Sequence, residues 1–207
     1  MSVLFNPSLP DGCRAFGQGA SEVNVQKWMN ILSATNSKTF SLLLLLAGTR
    51  TAECKGISSA GATSQSRKYT ALADAELFLY GPRGKRKFSL PPLKAGVSPA
   101  LISYVARQWI AVEPSVLAVG LYQQPSFPCL VVEPHDLGPS ACITTGKAMD
   151  ISRVNALWER GKEIGMELKG PLILAECVPG GTTTAQAVLT GLGISVADLI
   201  SGSSRNP

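Results

Sequence analysis

Short, continuously apolar runs alternate with longer amphipathic stretches along the chain, a pattern that predicts strands alternating with helices. The strongest run covers residues 39–47 and contains the pentaleucine 42–46, far shorter than the ~20 residues that a membrane helix requires. We therefore interpret it as a central strand of a parallel sheet, buried on both faces. Four further runs predict strands, at 75–80, 116–121, 129–132 and 172–175.

Helices are predicted between these runs, at 21–32, 99–112, 150–168 and 182–192. The clearest is 150–168, in which Asp150 can cap the first turn and the apolar residues fall near one face. The alternation predicts an α/β fold of three layers, with a mainly parallel, Rossmann-like sheet and helices on both faces. We expect residues 1–36 to form a small helical segment and residues 37–207 to form the α/β domain.

Three loops are placed where such a fold binds its ligands. Parallel sheets bind ligands at the carboxyl ends of their strands, often against the N-terminus of a helix. The segment 48–74 is rich in Gly, Ser and Thr and is predicted to be a long loop after the first strand. Gly96, Val97 and Ser98 precede a helix, with Ser98 as its N-cap and Pro99 in the first turn. The third loop is 176–184, so three loops qualify by position as candidate binding loops.

The third loop has the composition of an anion site. Gly180 and Gly181 allow backbone N–H groups to approach a ligand closely, and a helix N-terminus carries unpaired donors and partial positive charge. The three threonines at 182–184 would add hydroxyl donors. The alternative is a plain loop in which Thr182 or Thr183 caps the helix.

Charge and composition narrow the choice of partner. The net charge is +5, but four positive charges lie in the segment 83–87 and the rest of the chain carries only +1. An exposed loop explains this segment better than a phosphate-contacting patch, since no stacking platform accompanies it. A charged fraction of 16% and a hydrophobic fraction of 45% predict a compact domain with large buried surfaces.

The reactive residue types give few candidates. Five cysteines without a CxxC pair suggest a reducing compartment, and with no secretory signal we expect a cytoplasmic protein. Cys177 is interpreted as a buried thiol rather than a nucleophile, and His135 as an incidental loop residue. GxGxxG, P-loop and GxSxG motifs are absent from the sequence, which disfavours nucleotide hydrolysis and α/β-hydrolase chemistry.

The segment Glu176-Cys-Val-Pro-Gly-Gly-Thr-Thr-Thr-Ala185 resembles the phosphate-binding segment of the nicotinate-nucleotide:dimethylbenzimidazole phosphoribosyltransferases. Gly96-Val-Ser98 resembles the segment at that family's benzimidazole pocket. The archaeal and cyanobacterial branch is the better match, because its Thr/Gly-rich loop is similar to residues 48–52, 56–61 and 69–76. The resemblance extends over most of the chain from about residue 39.

The resemblance implies an enzyme that displaces nicotinate from nicotinate mononucleotide with a ring nitrogen of dimethylbenzimidazole or a related azole, which gives α-ribazole phosphate. It implies no metal or other cofactor, a homodimer, and neither a nucleic acid nor a membrane as partner. The implied residue roles are phosphate binding by Gly180, Gly181, Thr182 and Thr183, a position near the ribose or the reacting centre for Glu176, and a place in the base pocket for Ser98.

Two departures from the family keep an alternative open. The better-characterised bacterial members have Gly-Ile-Gly-Asn-Thr-Thr where this chain has Val-Pro-Gly-Gly-Thr-Thr at 178–183. Family members are also considerably longer, and the glutamate proposed as their general base lies in the C-terminal half. We expect this chain to correspond to the N-terminal portion of the family. The alternatives are a non-catalytic nucleotide- or phosphate-binding module or an inactive, truncated homologue, with nucleic-acid binding through 83–87 a more distant hypothesis.

Overall fold

The structure, a computed structural model, describes residues 3–4, 15–16, 23–24, 26–27, 30, 40–58, 60–61, 63–90, 98–110 and 112–199. Its strands are β1 (Val3–Leu4), β2 (Ala15–Phe16), β3 (Ser41–Ala47), β4 (Pro114–Val119), β5 (Leu130–Val131) and β6 (Leu172–Cys177). Its helices are α1 (Ser64–Arg67), α2 (Thr70–Tyr80), α3 (Pro99–Ile110), α4 (Ile151–Glu167) and α5 (Gly181–Gly191). Single 3-10 turns cover Arg50–Glu53, His135–Leu137, Ile143–Thr145 and Ala197–Leu199.

A four-stranded sheet in the order β5-β4-β3-β6 is parallel throughout. The pentaleucine strand β3 is interior, and its Leu44 lies opposite Val116 on one side and Ala175 on the other. Leu43 and Leu44 face opposite sides of the sheet, yet each is less than a tenth exposed. The predicted α/β class and the prediction of a central parallel strand are therefore confirmed.

Helix α2 packs beside the edge of the sheet at which the strands have their carboxyl ends. It packs against β3 and β6 on one side and α3 on the other. Its Leu72 is 1% exposed, and its residues join a core that also contains Leu42, Leu46, Val116 and Phe127. Because all four strands run the same way, the loops after β3 and β6 leave the sheet at one edge, next to this helix.

The strand predicted at 75–80 is wrong, because these residues form the second half of α2. A helix packed between a sheet and another helix is apolar on most sides, so its sequence lacks the 3.6-residue period that marks a surface helix. Even Glu76 is buried, at 1% exposure, where its carboxylate accepts hydrogen bonds from the Phe88 N–H at 2.9 Å and from the Ser126 hydroxyl. The predicted long loop 48–74 correspondingly ends in α1 and the start of α2.

The other predicted elements are found with shifted bounds. Helices α3, α4 and α5 and strands β4, β5 and β6 all overlap their predicted ranges. Within the predicted helix 21–32, residues 23, 24, 26, 27 and 30 are helical, and the others lie outside the described residues. The antiparallel pair of β1 and β2 was not predicted in the N-terminal segment. None of the helices in the described part of the chain is long and apolar enough to cross a bilayer.

Strand β6 lies at the edge of the sheet and is exposed there, although its short apolar sequence predicts a buried strand. Leu172, Ile173 and Leu174 are 41%, 45% and 67% exposed. Helix α4 is similarly open: none of its residues is buried, and Trp158 is 68% exposed. The described residues thus leave the apolar face of α4 and the edge of the sheet uncovered.

Candidate functional site

A cavity of about 750 Å³ lies at the carboxyl ends of β3 and β6. Gly56 and Ser58, from the loop after β3, form one wall, and Pro99 and Ser103 of α3 form another. The segment 176–183 supplies the third wall. The predicted loops 48–74 and 176–184 therefore meet at one cavity. The remaining wall comes from α3, the helix that follows the predicted loop at 96–98, and Gly96 and Val97 of that loop lie outside the described residues.

The turn after β6 requires a glycine at position 180. Gly180 has a φ of +80°, and a Cβ at this position would lie 3.1 Å from the backbone nitrogen of Ala52. A side chain would therefore be strained and would also meet the 3-10 turn that follows β3. The Gly181 N–H donates to the Val178 carbonyl at 2.7 Å, which closes the turn and starts α5.

The N-terminus of α5 has no side-chain cap. Gly180 is the N-cap residue, and neither Thr182 nor Thr183 accepts a hydrogen bond from the helix backbone. The N–H groups of these two threonines have no acceptor among the described residues, and both threonines line the cavity. The alternative that a threonine caps the helix is therefore wrong. Two unpaired donors at the positive end of a helix can bind an anion.

Glu176 borders the same helix end. It is the second-last residue of β6 and lines the cavity. Its Oε2 atom lies 3.6 Å from the position that a Cβ on Gly181 would occupy. The carboxylate is therefore beside the first residue of α5, where the partial positive charge of the helix stabilises it. In the same cavity it is available to stabilise positive charge on a ligand.

Asp74 is a cavity residue that the sequence analysis missed. It lies on α2, is half-buried, and its Oδ1 accepts a hydrogen bond of 2.7 Å from the Ser98 hydroxyl. The Cys177 thiol lies 3.7 Å from Oδ2. Burial raises the pKa of Asp74, although the hydrogen bonds from Ser98 and Cys177 oppose this shift. A carboxylate with a raised pKa is a stronger base than an exposed aspartate.

The raised pKa of Asp74 predicts a pH-dependent stability. Because the folded chain holds this proton more tightly than the unfolded chain, Asp74 costs stability as the pH rises through its folded-state pKa. We expect Asp74→Asn to raise the thermal unfolding midpoint at about pH 7 by a few degrees and to change it less at about pH 4. The matched control is Asp136→Asn on an exposed turn, and equal effects of the two substitutions at both pH values would contradict the prediction.

Ser98 and Cys177 both contact Asp74, but only Cys177 also lines the cavity. The Ser98 hydroxyl also accepts a hydrogen bond from the Ala100 N–H at 3.2 Å, so its predicted position at the start of α3 is confirmed. Ser98 therefore orients Asp74 and does not itself line the cavity. Cys177 is half-buried, and burial, followed by the charges of Asp74 and Glu176, raises its pKa, so its thiolate is disfavoured as a nucleophile.

The remaining candidates lie outside the cavity. The four basic side chains of the segment 83–87 are exposed, in agreement with the exposed-loop interpretation. His135 is in a 3-10 turn and does not line the cavity. Within the described ranges, no three His, Cys, Asp or Glu side chains are grouped so that they could hold a metal ion.

Comparison with known proteins places the chain among close homologues. No family model matches it. Its close relatives are UPF0284 proteins. The UPF0284 protein of Prochlorococcus marinus strain MIT 9313 is 62% identical over 95% of this chain and 49% of its own length. That of Parasynechococcus marenigrum strain WH8102 is 54% identical over 96% of this chain and 50% of its own. That of Nostoc sp. strain PCC 7120 is 43% identical over 77% of this chain and 42% of its own.

The chain spans about half the length of these UPF0284 relatives. The uncovered apolar surface of β6 and α4 belongs to this matched half. The sequence identities show close homology to UPF0284 proteins, and the names of these relatives do not mention phosphoribosyl transfer. The resemblance to the dimethylbenzimidazole phosphoribosyltransferases therefore remains a prediction.

Proposed function

We propose that this chain carries the nucleotide site of a phosphoribosyltransferase. The reaction is transfer of phosphoribose from nicotinate mononucleotide to dimethylbenzimidazole or a related azole, giving α-ribazole phosphate and nicotinate. One observation supports it above the others: a single cavity brings together the uncapped start of α5, the carboxylate of Glu176 and the raised-pKa carboxyl of Asp74. An anion site beside two carboxylates suits a substrate that combines a phosphate with a cationic leaving group.

The phosphate of the nucleotide binds at the start of α5. The N–H groups of Thr182 and Thr183 donate to it, and the two threonine hydroxyls add donors. Gly180 and Gly181 keep side chains away from this surface. The phosphate is remote from the bond that breaks, so its binding energy serves to hold the ribose in position.

Glu176 acts on the ribose. As the bond from C1′ to the nicotinate ring nitrogen breaks, its electron pair moves to that nitrogen and positive charge grows on the ribose. A carboxylate next to this charge stabilises the transition state more than the ground state. Glu176 lies near the end of β6, with its Oε2 atom beside the start of α5, where the phosphate binds in this proposal.

Asp74 accepts the proton of the azole. One ring nitrogen of the azole attacks C1′, and the cationic product then loses the N–H proton of the other nitrogen. Asp74 takes this proton, because its raised pKa makes it a competent base and Ser98 holds its carboxylate in place. In this proposal Ser98 positions the base and does not contact the azole.

Glu176→Gln tests the enzymatic role. We expect the substitution to lower the rate of nicotinate release, measured with nicotinate mononucleotide and dimethylbenzimidazole, by roughly 100-fold or more. Calorimetry should show a nucleotide Kd within about threefold of the parent value, because the phosphate contacts are retained. Glu167→Gln, at the exposed end of α4, is the matched control and should leave both quantities unchanged. Parent-like turnover by Glu176→Gln would exclude the proposed role.

A second candidate is a module that binds the nucleotide without turnover. This candidate is favoured because the anion site consists of backbone groups from one short segment, 178–183. Binding an anion there requires no acid or base. Such a module would bind nicotinate mononucleotide and respond to substitutions at Gly181. It would release no nicotinate, so the turnover assay separates the two candidates.

A further inference from the structure

Two cysteines lie in contact outside the catalytic groups of the cavity. The sulfur atoms of Cys54 and Cys142 are 3.5 Å apart, although the residues are 88 positions apart in the sequence. Both side chains are partly exposed. A disulfide bond brings two sulfurs to about 2.05 Å, so small side-chain rotations would have to close a gap of roughly 1.5 Å.

Backbone hydrogen bonds hold the two cysteines together. The Arg50 N–H donates to the Ser140 carbonyl at 2.8 Å, and the Ser140 N–H donates to the Gly48 carbonyl at 3.2 Å. The buried hydroxyl of Thr51 accepts the Ile143 N–H at 3.1 Å, directly after Cys142. These hydrogen bonds join the segments 48–51 and 140–143, so the backbone holds the two cysteines close together whichever rotamers their side chains adopt.

The two thiols differ in chemical character. The Thr144 hydroxyl lies 3.1 Å from the Cys142 sulfur, and hydrogen bonds from Thr144 and then Cys54 lower the pKa of Cys142 to about 7. The same contact with Cys142, together with burial, raises the pKa of Cys54. Burial also raises the pKa of Cys129 and of Cys177. Among the described cysteines, Cys142 is therefore the one whose thiolate is populated near neutral pH.

We propose that Cys54 and Cys142 form a redox-reactive pair that a hydroperoxide converts to a disulfide. The Cys142 thiolate attacks the peroxide, the O–O bond breaks, and the products are a sulfenic acid on Cys142 and hydroxide or an alkoxide. The Cys54 thiol then attacks the Cys142 sulfur, and the S–O bond breaks with loss of water. The peroxide is reduced by two electrons and the two thiols are oxidised by two.

The proposal of this redox pair does not rest on the proposed transferase activity. It adjoins the cavity, because Cys54 lies two residues before Gly56, the first cavity residue of that loop. The Cys54 carbonyl also accepts a hydrogen bond of 3.0 Å from Arg67, which orders the loop. Formation of the disulfide would shift the loop that forms this wall of the cavity. Thiol reductants would break the disulfide and reverse the shift.

Thiol mapping of the whole chain tests the pair. The reduced protein is treated with stoichiometric hydrogen peroxide, its free thiols are alkylated, and its peptides are analysed by mass spectrometry. We expect a linked pair of peptides containing Cys54 and Cys142, with two fewer alkylated thiols. In Cys54→Ser, a dione probe for sulfenic acid should label Cys142. Cys142→Ser should consume peroxide at least tenfold more slowly, whereas the control Cys129→Ser should match the parent.

The pH dependence provides a second readout. Alkylation of Cys142 should rise through about pH 7 and then level off, whereas alkylation of Cys129 should still be rising at higher pH. Thr144→Val should move the Cys142 midpoint to higher pH. The proposal is overturned if peroxide links other cysteines in preference to these two, or if Cys142 is alkylated no faster than Cys129 at neutral pH.

Discussion

Gly181→Asp should weaken the binding of nicotinate mononucleotide at least 100-fold. The substitution places a carboxylate at the start of α5, beside the two unpaired N–H groups that we assign to the phosphate. At an effective dielectric constant near 20, two unit charges about 4 Å apart repel each other by about 4 kcal/mol, or roughly a thousandfold in Kd. Titration calorimetry with the nucleotide, and with inorganic phosphate as a simpler probe, measures the loss.

Gly181→Asn separates charge from bulk. A Cβ at Gly181 would lie 3.1 Å from the Cβ of Val178, which is tight, so any side chain here requires a small local shift. Asparagine has nearly the shape of aspartate without its charge, and we expect it to weaken binding by only about tenfold or less. If the two variants lose binding equally, the effect is steric and the anion site at α5 is excluded.

Much of the fold could be predicted from the sequence, because several elements have a clear hydrophobic pattern, either a short continuous apolar run or a helical repeat. The pentaleucine of β3 and the amphipathic pattern of α4 were interpreted correctly. The meeting of loops at the carboxyl edge followed from the parallel sheet alone. The strand predicted at 75–80 failed because α2 is buried on most sides and its sequence therefore carries no helical stripe. Strand β6 has the sequence of a buried strand, but the described residues do not cover it.

The site was only half predictable, because its other half depends on contacts between distant residues. Consecutive glycines and threonines mark the segment 176–183 as a candidate binding loop. Ser98 is recognised as a helix N-cap because a proline follows it. Asp74 has no such signal in the sequence, and the role that we propose for it depends on its contacts with Ser98 and Cys177 in the folded chain. A carboxylate inside an Ala/Leu-rich stretch was the one available signal. Nothing in the sequence pairs Cys54 with Cys142.

The buried side chain of Arg67 is the clearest example of an interaction that the sequence does not reveal. The segment 48–74 has the composition of a mobile loop, yet Arg67 is 5% exposed and orders it from within. Its guanidinium donates to the carbonyls of Ala52 at 2.5 Å, Cys54 at 3.0 Å and Gly61 at 3.2 Å. The ion pairs found among the described residues do not include Arg67, so backbone carbonyl dipoles are the partners of this buried charge.

Arg67→Met should lower the free energy of unfolding by about 3–5 kcal/mol, measured by urea denaturation. Each hydrogen bond to a charged group contributes about 1.5–3 kcal/mol, and three carbonyls, two of them buried, lose their donor together. Arg67→Lys should lose less, since an ammonium group keeps the charge but cannot reach all three carbonyls from one position. The exposed control, Arg83→Met, should change stability by less than about 0.5 kcal/mol. A parent-like stability of Arg67→Met would mean that the loop is held by its own turns, and that the cavity wall formed by Gly56 and Ser58 does not depend on this buried cation.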